Sequence, residues 1–332
     1  MLSRLPPDNK HASEDSMAYH HIFGPVLSRR LGVSLGVDLV THKICSMDCV
    51  YCECGKTTQL TCERENYVPF EAVAAELDDF FAGHPDPDYI TFSGSGEPSL
   101  NLSLGKVIRH IKQQKPGIKI AVLTNSGLFS DRRVRAELLE ADLVVPSLDA
   151  ATEQAFQKIN RPCASLDIHS IIAGLAAFRS EFKGQIWLEV LILPGINDDA
   201  RDLARLKKAV AAIRPDRVQL NTLDRPGTLA DIRPASREEL ERVIRVLDYR
   251  PAEIVVKFPE PPGTGIKRED VAQAILETVH RRPCTSTDLQ IILGLEQQQV
   301  DRALSRLEKE HKVTARAQER GVFYQTVKEG GQ

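Results

Sequence analysis

The chain has no long apolar run and no excess of charge of either sign. Its 332 residues contain no stretch of the roughly 20 apolar residues that a membrane-spanning helix needs, and the N-terminus lacks the apolar core of a secretion signal. The 43 lysines and arginines nearly balance the 46 aspartates and glutamates, so no broad basic surface announces nucleic acid or membrane as a partner. There is no internal repeat or low-complexity tract. We therefore expect a globular, cytoplasmic protein without membrane contact.

What is present is an ordinary globular composition with an unusual group of cysteines. The chain is 42% hydrophobic and 27% charged, and its length suits about two domains. In a reducing compartment, its seven cysteines indicate metal ligands or free thiols before disulfides.

From about Ile90 onward, short β-branched runs alternate with amphipathic stretches, a pattern that predicts βαβ units and a parallel sheet. Helix signals include the capping box from Ser236 to Glu239 and an apolar stripe at helical spacing between Leu203 and Ile213. We predict an α/β fold, a partial (β/α)6 TIM-like barrel. The predicted strands are Tyr89 to Ser93, Lys119 to Thr124, Leu143 to Ser147, Ile186 to Leu193, Arg217 to Asn221 and Glu253 to Phe258.

Four parts are expected along the chain. Residues 1–18 form a polar, flexible extension, residues 19–258 the barrel, and the Pro- and Gly-rich residues 259–266 a linker. Residues 267–328 are expected to form a small winged-helix-like α+β domain. Its three helices are predicted at 268–282, 285–293 and 296–309, and a hairpin from Lys312 to Val327 turns at residues 319–321.

Three cysteines within eight residues, Cys45, Cys49 and Cys52, are the most informative feature. Three thiolates without a fourth suit a [4Fe–4S] cluster in which one iron stays open to a ligand that is not protein. A tetrahedral zinc site is the alternative, with Cys54, Cys62 or His42 as its fourth ligand. The triplet alone leaves both open.

The spacing C-x3-C-x2-C, with Tyr51 just before the third cysteine, is followed downstream by Ser93-Gly-Ser-Gly-Glu-Pro98 at the end of a predicted strand. Together these features resemble the radical S-adenosylmethionine (SAM) superfamily. The resemblance implies that the three cysteines bind a [4Fe–4S] cluster and that the amine and carboxylate of SAM chelate the fourth iron.

The resemblance also implies a set of SAM contacts. Glycines let the backbone approach a ligand closely, and Glu97 offers an acceptor to a cationic amine. The residues that the resemblance or their position at strand ends assigns to SAM or substrate are Tyr51 (adenine), Gly94, Ser95, Gly96, Glu97, Asn125 (methionyl end), Ser147, Asp149 (ribose), Glu189 and Asn221. Arg29 and Arg30 are candidates for holding an anionic substrate or the SAM carboxylate.

At closer range, segments such as Ile159-Asn-Arg-Pro162 and Tyr67-Val-Pro69 are similar to the branch grouped with wyosine-base synthases, over roughly residues 19 to 258. Those enzymes carry further N-terminal cysteines for a second cluster, and this chain has none before Cys45. We therefore do not expect wyosine synthesis, and we interpret Cys54 and Cys62 as free thiols.

The family chemistry is reductive cleavage of SAM to a 5′-deoxyadenosyl radical, which abstracts hydrogen from a substrate. The substrate classes left open are a small molecule, a peptide and an RNA nucleoside, and the expected electron donor is a flavodoxin or ferredoxin. Residues 266–332 carry 11 lysines and arginines against 10 aspartates and glutamates, too little positive charge for phosphate binding. A non-catalytic zinc or iron–sulfur regulator remains as the alternative function.

Overall fold

The computed structural model describes residues 19–28, 30–41, 43–225, 227–229, 231–255, 271–318 and 321–327. Residues 1–18 and the expected linker 259–266 lie outside these ranges, as do Arg29 and His42. Within them, the first ten strands are β1 (Ile22–Ser28), β2 (Gly32–Val37), β3 (Ile44–Cys45), β4 (Gln59–Leu60), β5 (Tyr89–Phe92), β6 (Lys119–Thr124), β7 (Leu143–Pro146), β8 (Gln185–Leu191), β9 (Arg217–Asn221) and β10 (Ala252–Ile254).

Eight of these strands form one sheet in the described part of the chain, in the order β1-β2-β5-β6-β7-β8-β9-β10. The hairpin of β1 and β2 is antiparallel, and every other neighbouring pair is parallel. The chain thus has an α/β fold with a mostly parallel central sheet, an arrangement consistent with a partial barrel. The short pair β3 and β4 stands apart and begins and ends the cysteine-bearing loop.

The connecting helices cover the sheet with apolar faces. They are α1 (Phe70–Gly83), α2 (Leu104–Gln114), α3 (Arg132–Glu137), α4 (Glu153–Ile159), α5 (Ile168–Glu181), α6 (Ala200–Ile213) and α7 (Arg237–Leu247). The predicted stripe of α6 is fully buried, with Leu203 and Ile213 at 0% exposure. The predicted capping box of α7 is also present, because Ser236 and Glu239 exchange both hydrogen bonds. Parallel sheets need such cover because both of their faces are apolar.

All six predicted strands are found in the structure. Those predicted at Lys119 to Thr124 and Arg217 to Asn221 have their predicted bounds, and the ends of three others differ by at most two residues. The last strand starts one residue early, at Ala252, and residues 256–258 of that prediction lie outside the described part. The β1–β2 hairpin was not predicted. Its apolar residues are interrupted by Gly24, Pro25 and Gly32, and its register shifts at a bulge between Phe23 and Val26. An interrupted alternation of this kind hides a strand from a periodicity argument.

The C-terminal module, residues 271–327, runs α8 (Val271–Arg281), β11 (Cys284–Thr285), α9 (Ser286–Leu293), α10 (Gln297–Lys309), β12 (Val313–Gln318) and β13 (Gly321–Thr326). Its strands form an antiparallel sheet in the order β11-β13-β12. Its helices bury a core of their own around Ile275, Leu289 and Val300. Thr285 caps α9, and Gly294 ends it in the left-handed conformation. Whether this module is a winged-helix domain remains a prediction.

Charged side chains join the C-terminal module to the barrel. Arg225, in the loop after β9, donates a hydrogen bond to the Pro283 carbonyl and lies 3.3 Å from Asp288. Arg281 stacks over the ring of Phe23, 3.8 Å from its centre. In the described part of the chain, no helix combines the length and apolarity of a membrane span.

Candidate functional site

The three cysteines of the triplet lie on one loop, residues 43–58, which we call the cluster loop. Each of their sulfurs receives a hydrogen bond from a different protein group. Lys43 Nζ lies 2.9 Å from Cys52 Sγ, Asn125 Nδ2 lies 3.3 Å from Cys45 Sγ, and Asn160 Nδ2 lies 3.4 Å from Cys49 Sγ. Donors directed at sulfur favour the thiolate, which is the form that ligates iron.

The thiols differ in acidity because their surroundings differ. A hydrogen bond with the Cys54 thiol, together with the Lys43 ammonium, lowers the pKa of Cys52 to about 6 although burial opposes this. Burial raises the pKa of Cys45 to about 11 and that of Cys49 further. Burial on its own lowers the pKa of Lys43, but the neighbouring Cys52 and Cys45 raise it above its usual value. The loop therefore places one ready thiolate beside a buried cation, and a bound metal centre would be needed to ionise the other two.

The glycine turn, residues 93–98, packs directly against the cluster loop. Gly94 has a φ of +152°, and a Cβ there would lie 2.2 Å from the Asp38 carboxylate carbon. A Cβ on Gly96 would lie 1.8 Å from the Ile44 carbonyl oxygen. Ser95 is held by Asp38, which accepts hydrogen bonds from its backbone N–H at 2.9 Å and its hydroxyl at 3.0 Å. Glycine at 96 therefore allows the turn to approach the cluster loop this closely, and glycine at 94 leaves room for the Asp38 carboxylate.

Glu97 is buried, at 2% exposure, and its carboxylate faces protein donors. Its Oε1 accepts from the backbone N–H and hydroxyl of Ser99 and from the Thr124 hydroxyl, and its Oε2 accepts from the Asn125 N–H at 2.7 Å. Burial raises its pKa, and these hydrogen bonds oppose the rise. Glu97 thus ties the glycine turn to the end of β6, and its contact with the SAM amine remains a prediction.

Tyr51 and Asp149 are in contact in the structure, and their assignments to adenine and ribose remain predictions. The Tyr51 hydroxyl donates to Asp149 Oδ2 at 2.5 Å, and Asn160 Nδ2 donates to the same oxygen at 2.8 Å. Asp149 Oδ1 accepts from the Leu191 N–H. Burial raises the pKa of Asp149, opposed by these bonds. Asn160 therefore links the Cys49 sulfur to the carboxylate that follows β7.

The remaining predicted residues separate into two groups. Ser147 sits at the end of β7 and bridges to Glu189, whose carboxylate lies 2.5 Å from Arg30. Arg30 also donates to Gln219 at 2.7 Å, so this arginine is neutralised by the barrel. Asn221 lines a cavity between the sheet and the C-terminal module, as do Arg30, Gly94 and Cys54.

Sequence reasoning missed three residues that hold the cysteines or the glycine turn in place: Asp38, Lys43 and Asn160. Asn160 stands in the family segment quoted above, but its use as a donor to Cys49, 111 residues away, follows only from the fold. Lys43 precedes the first cysteine by two residues, and no periodicity marks it as a partner of Cys52. Cys54 lies against Cys52 and 3.7 Å from the Gly94 carbonyl oxygen.

The donor set can be compared with the two metal centres proposed from sequence. One zinc ion requires its ligands to converge on a single point, whereas the thiolates of a [4Fe–4S] cube each bind a different iron. Among the described residues, which do not include His42, no group of three or more His, Cys, Asp or Glu side chains converges on a single-ion site. Three thiols on one loop, each with its own hydrogen-bond donor, fit the cube.

Comparison with known proteins identifies the class. The model of the Radical SAM superfamily matches residues 39–206, about half of the chain, a range that includes the triplet, the glycine turn and Asp149. The chain therefore belongs to the radical SAM superfamily. It is an enzyme of this class, and its cofactors are a [4Fe–4S] cluster and SAM.

Several relatives extend over more of the chain. A UPF0026 protein of Helicobacter pylori (strain J99) is 37% identical over 276 residues, covering 82% of this chain and 87% of that protein. A Brachyspira hyodysenteriae protein named GTPase Obg is 35% identical over 306 residues, which are 92% of this chain but only 45% of that protein. The solved structure of a radical SAM methyltransferase from Sphaerobacter thermophilus has a TM-score of 0.50 at 21% identity, over 67% of this chain and 65% of that one. This last similarity concerns the fold alone.

Proposed function

We propose that the enzyme cleaves SAM reductively and uses the resulting radical to abstract a hydrogen atom from a substrate that is not yet identified. The observation that carries this proposal is the cluster loop, where the three thiols of Cys45, Cys49 and Cys52 each receive a hydrogen bond and no fourth cysteine ligand is required. When bound, the reduced cluster supplies one electron to SAM, which breaks into methionine and a 5′-deoxyadenosyl radical.

In this scheme the protein's own residues bind the cofactors, orient them and exclude water from the site. Lys43, which is 3% exposed, stabilises the charged Cys52 thiolate. The glycine turn brings backbone groups next to the cluster loop, where the methionyl end of SAM is proposed to bind together with Asn125. Asp149, which is held by hydrogen bonds from Tyr51 and Asn160, is proposed to contact the ribose of SAM. Positioning of this kind is the main contribution that a protein makes to cofactor chemistry.

The cluster needs an external reductant. We propose a flavodoxin or ferredoxin as the electron donor and the cytoplasm as the location, since a reducing compartment keeps the seven cysteines as thiols. An air-sensitive cluster is consistent with that setting.

We also propose that the C-terminal module is a winged-helix-like domain that packs on the barrel and does not bind nucleic acid. Support comes from the order of its elements, three helices with a short strand after the first and a two-stranded hairpin after the last. The ion pairs of Arg225 with Asp288 and of Arg281 with Asp38, which join the module to the barrel, support the packing. The exposed face of α10 carries acidic Asp301 and Glu308 beside its basic residues, which disfavours phosphate binding.

The test is anaerobic reconstitution of the full chain with iron and sulfide, followed by SAM and a strong reductant. We expect formation of 5′-deoxyadenosine and methionine even without substrate. Absence of 5′-deoxyadenosine from protein that contains its cluster would overturn the proposal. A comparison of metabolites and RNA between a deletion strain and its parent would then identify the missing product.

A further inference from the structure

A cavity of about 730 Å³ lies between the sheet and the C-terminal module. One wall is built by the sheet, the glycine turn and the cluster loop, and includes Ser34, Thr91, Gly94 and Cys54. The opposite wall is built by the module, from α8, α9 and β13. Sites for small molecules in proteins usually have volumes of roughly 300–1,000 Å³.

The module is fixed in this position by a buried arginine. Arg225 is 3% exposed, and its guanidinium lies 3.3 Å from Glu53 of the cluster loop and 3.3 Å from Asp288 at the start of α9. It also donates to the Pro283 carbonyl. A buried charge with partners on both sides holds the two walls together, because separating them would leave the charge unpaired.

The charges of the walls are not all neutralised. Among the four arginines of the lining, Arg30 is paired with Glu189, and Arg225 is paired with Glu53 and Asp288. Arg281 is 3.5 Å from Asp38, and burial lowers its pKa despite that carboxylate.

Arg282 completes the lining arginines. Within the described part of the chain it forms no ion pair with an acidic side chain. Glu277, the remaining acidic group of the described lining, accepts a hydrogen bond from Gln273 and is a second carboxylate acting on Arg281 beside Asp38. The module therefore presents Arg282, which has no acidic partner among the described residues, next to Arg281, whose charge is shared with Asp38 and Glu277.

A second unsatisfied group lies in the sheet wall. Trp187 lines the cavity, and its indole Nε1 is buried without a hydrogen-bond partner among the described residues. This N–H has almost no accessible surface and does not face the cavity, so the part of Trp187 that lines the cavity is its indole ring.

We propose that this cavity is the substrate site and that it takes a small molecule with an acidic group, which Arg281 and Arg282 of the C-terminal module bind. This inference rests on the proposed function and adds to it the class of substrate. It makes the module a part of the reaction chamber and not an independent binding domain.

Trp187 supplies the measurement, because it is the single tryptophan of the chain. Its emission is followed in anaerobic, cluster- and SAM-loaded full-length protein during titration with two pairs of probes: glycerol phosphate against glycerol, and succinate against butanediol. We expect at least one acid to change the emission saturably and to bind about tenfold more tightly than its neutral partner. The pair that responds distinguishes a phosphate from a carboxylate ligand. Equal binding of acid and neutral partner in both pairs would overturn the inference.

Variants assign the effect to the two arginines. We expect Arg281→Gln/Arg282→Gln to abolish the preference for the acid, and Arg281→Lys/Arg282→Lys to retain most of it. The matched control is Arg302→Gln on the exposed face of α10, which should bind as the parent does. An undiminished preference in the glutamine variant would contradict the inference. Should that variant not fold, the comparison of acid with neutral probe in the parent still decides.

Two further arms separate the alternatives. A short single-stranded oligoribonucleotide that changes Trp187 emission at lower concentration than glycerol phosphate would overturn the small-molecule class in favour of RNA. The parent protein is also assayed for 5′-deoxyadenosine. If it forms 5′-deoxyadenosine but binds acids no better than neutral probes, only the substrate inference fails. If it forms none, the proposed function fails whatever the probes do.

Discussion

The ammonium of Lys43 lies 2.9 Å from the sulfur of Cys52 in the loop that carries the cysteine triplet, where Lys43 is buried and Cys52 is half-buried. This pairing gives the loop a local positive charge where three thiolates have to gather. Electrostatic support of this type around metal ligands commonly changes metal affinity by 10–100-fold when it is removed.

The first prediction concerns this cation. Lys43→Gln should lower iron and sulfide retention by on the order of tenfold, because the Cys52 thiol then loses its stabilising charge. The loss should be larger at mildly acidic than at mildly alkaline pH, since loss of the cation raises the pKa of Cys52 from about 6. Iron and sulfide are measured after reconstitution and gel filtration. Lys56→Gln, at an exposed position of the same loop, is the control, and equal losses in the two variants would contradict the role of Lys43.

The second prediction concerns Gly96. A Cβ there would meet the Ile44 carbonyl oxygen at 1.8 Å, so Gly96→Ala must displace either the glycine turn or the cluster loop. We expect loss of most of the cluster and a lower melting temperature. Gly83→Ala is the matched control, because a Cβ at Gly83 has no atom within 4 Å and alanine favours the helix there. A Gly96→Ala protein that retains its full cluster would show that the close approach is not required.

How much of this site can be predicted from the sequence depends on how far apart the contacting residues lie along the chain. Strands β5 to β9 follow from β-branched runs, and the capping box of α7 is legible because Ser236 and Glu239 are three residues apart. The donors to the cysteines cannot be recognised in this way, since Asn160 donates to Cys49 across 111 residues and only the folded sheet brings them together. The same holds for the docking of the C-terminal module, where Arg225 meets Asp288 across 63 residues.

The third prediction concerns Asn160, which donates to both Cys49 and Asp149. Asn160→Ala leaves a buried carboxylate without one of its donors and should lower the free energy of unfolding by about 1–3 kcal/mol. Denaturant unfolding of the anaerobic protein measures this. Gln157→Ala, at an exposed position of helix α4, which Asn160 follows, should change stability by less than about 0.5 kcal/mol. Similar values for both variants would argue against the buried bridge.

The fourth prediction compares a buried with an exposed ion pair. Arg225→Leu leaves Glu53 and Asp288 without their shared cation, so unfolding should become easier by about 3–5 kcal/mol. The Arg237 side chain is 73% accessible and pairs with Glu241. Arg237→Leu removes this exposed pair and should lower the free energy of unfolding by less than about 0.5 kcal/mol. Melting curves of the two variants against the parent test this difference. A small effect at Arg225 would mean that the module does not depend on this contact.

The most direct measurement for the whole account is Mössbauer and electron paramagnetic resonance spectroscopy of anaerobically reconstituted protein, with and without SAM. The account predicts one [4Fe–4S] cluster per chain, with a signal that changes when SAM is added. The cluster should be lost in Cys45→Ala, Cys49→Ala and Cys52→Ala and kept in Cys54→Ala and Cys62→Ala. A protein without this cluster, or a cluster that does not respond to SAM and needs a fourth cysteine, would contradict it.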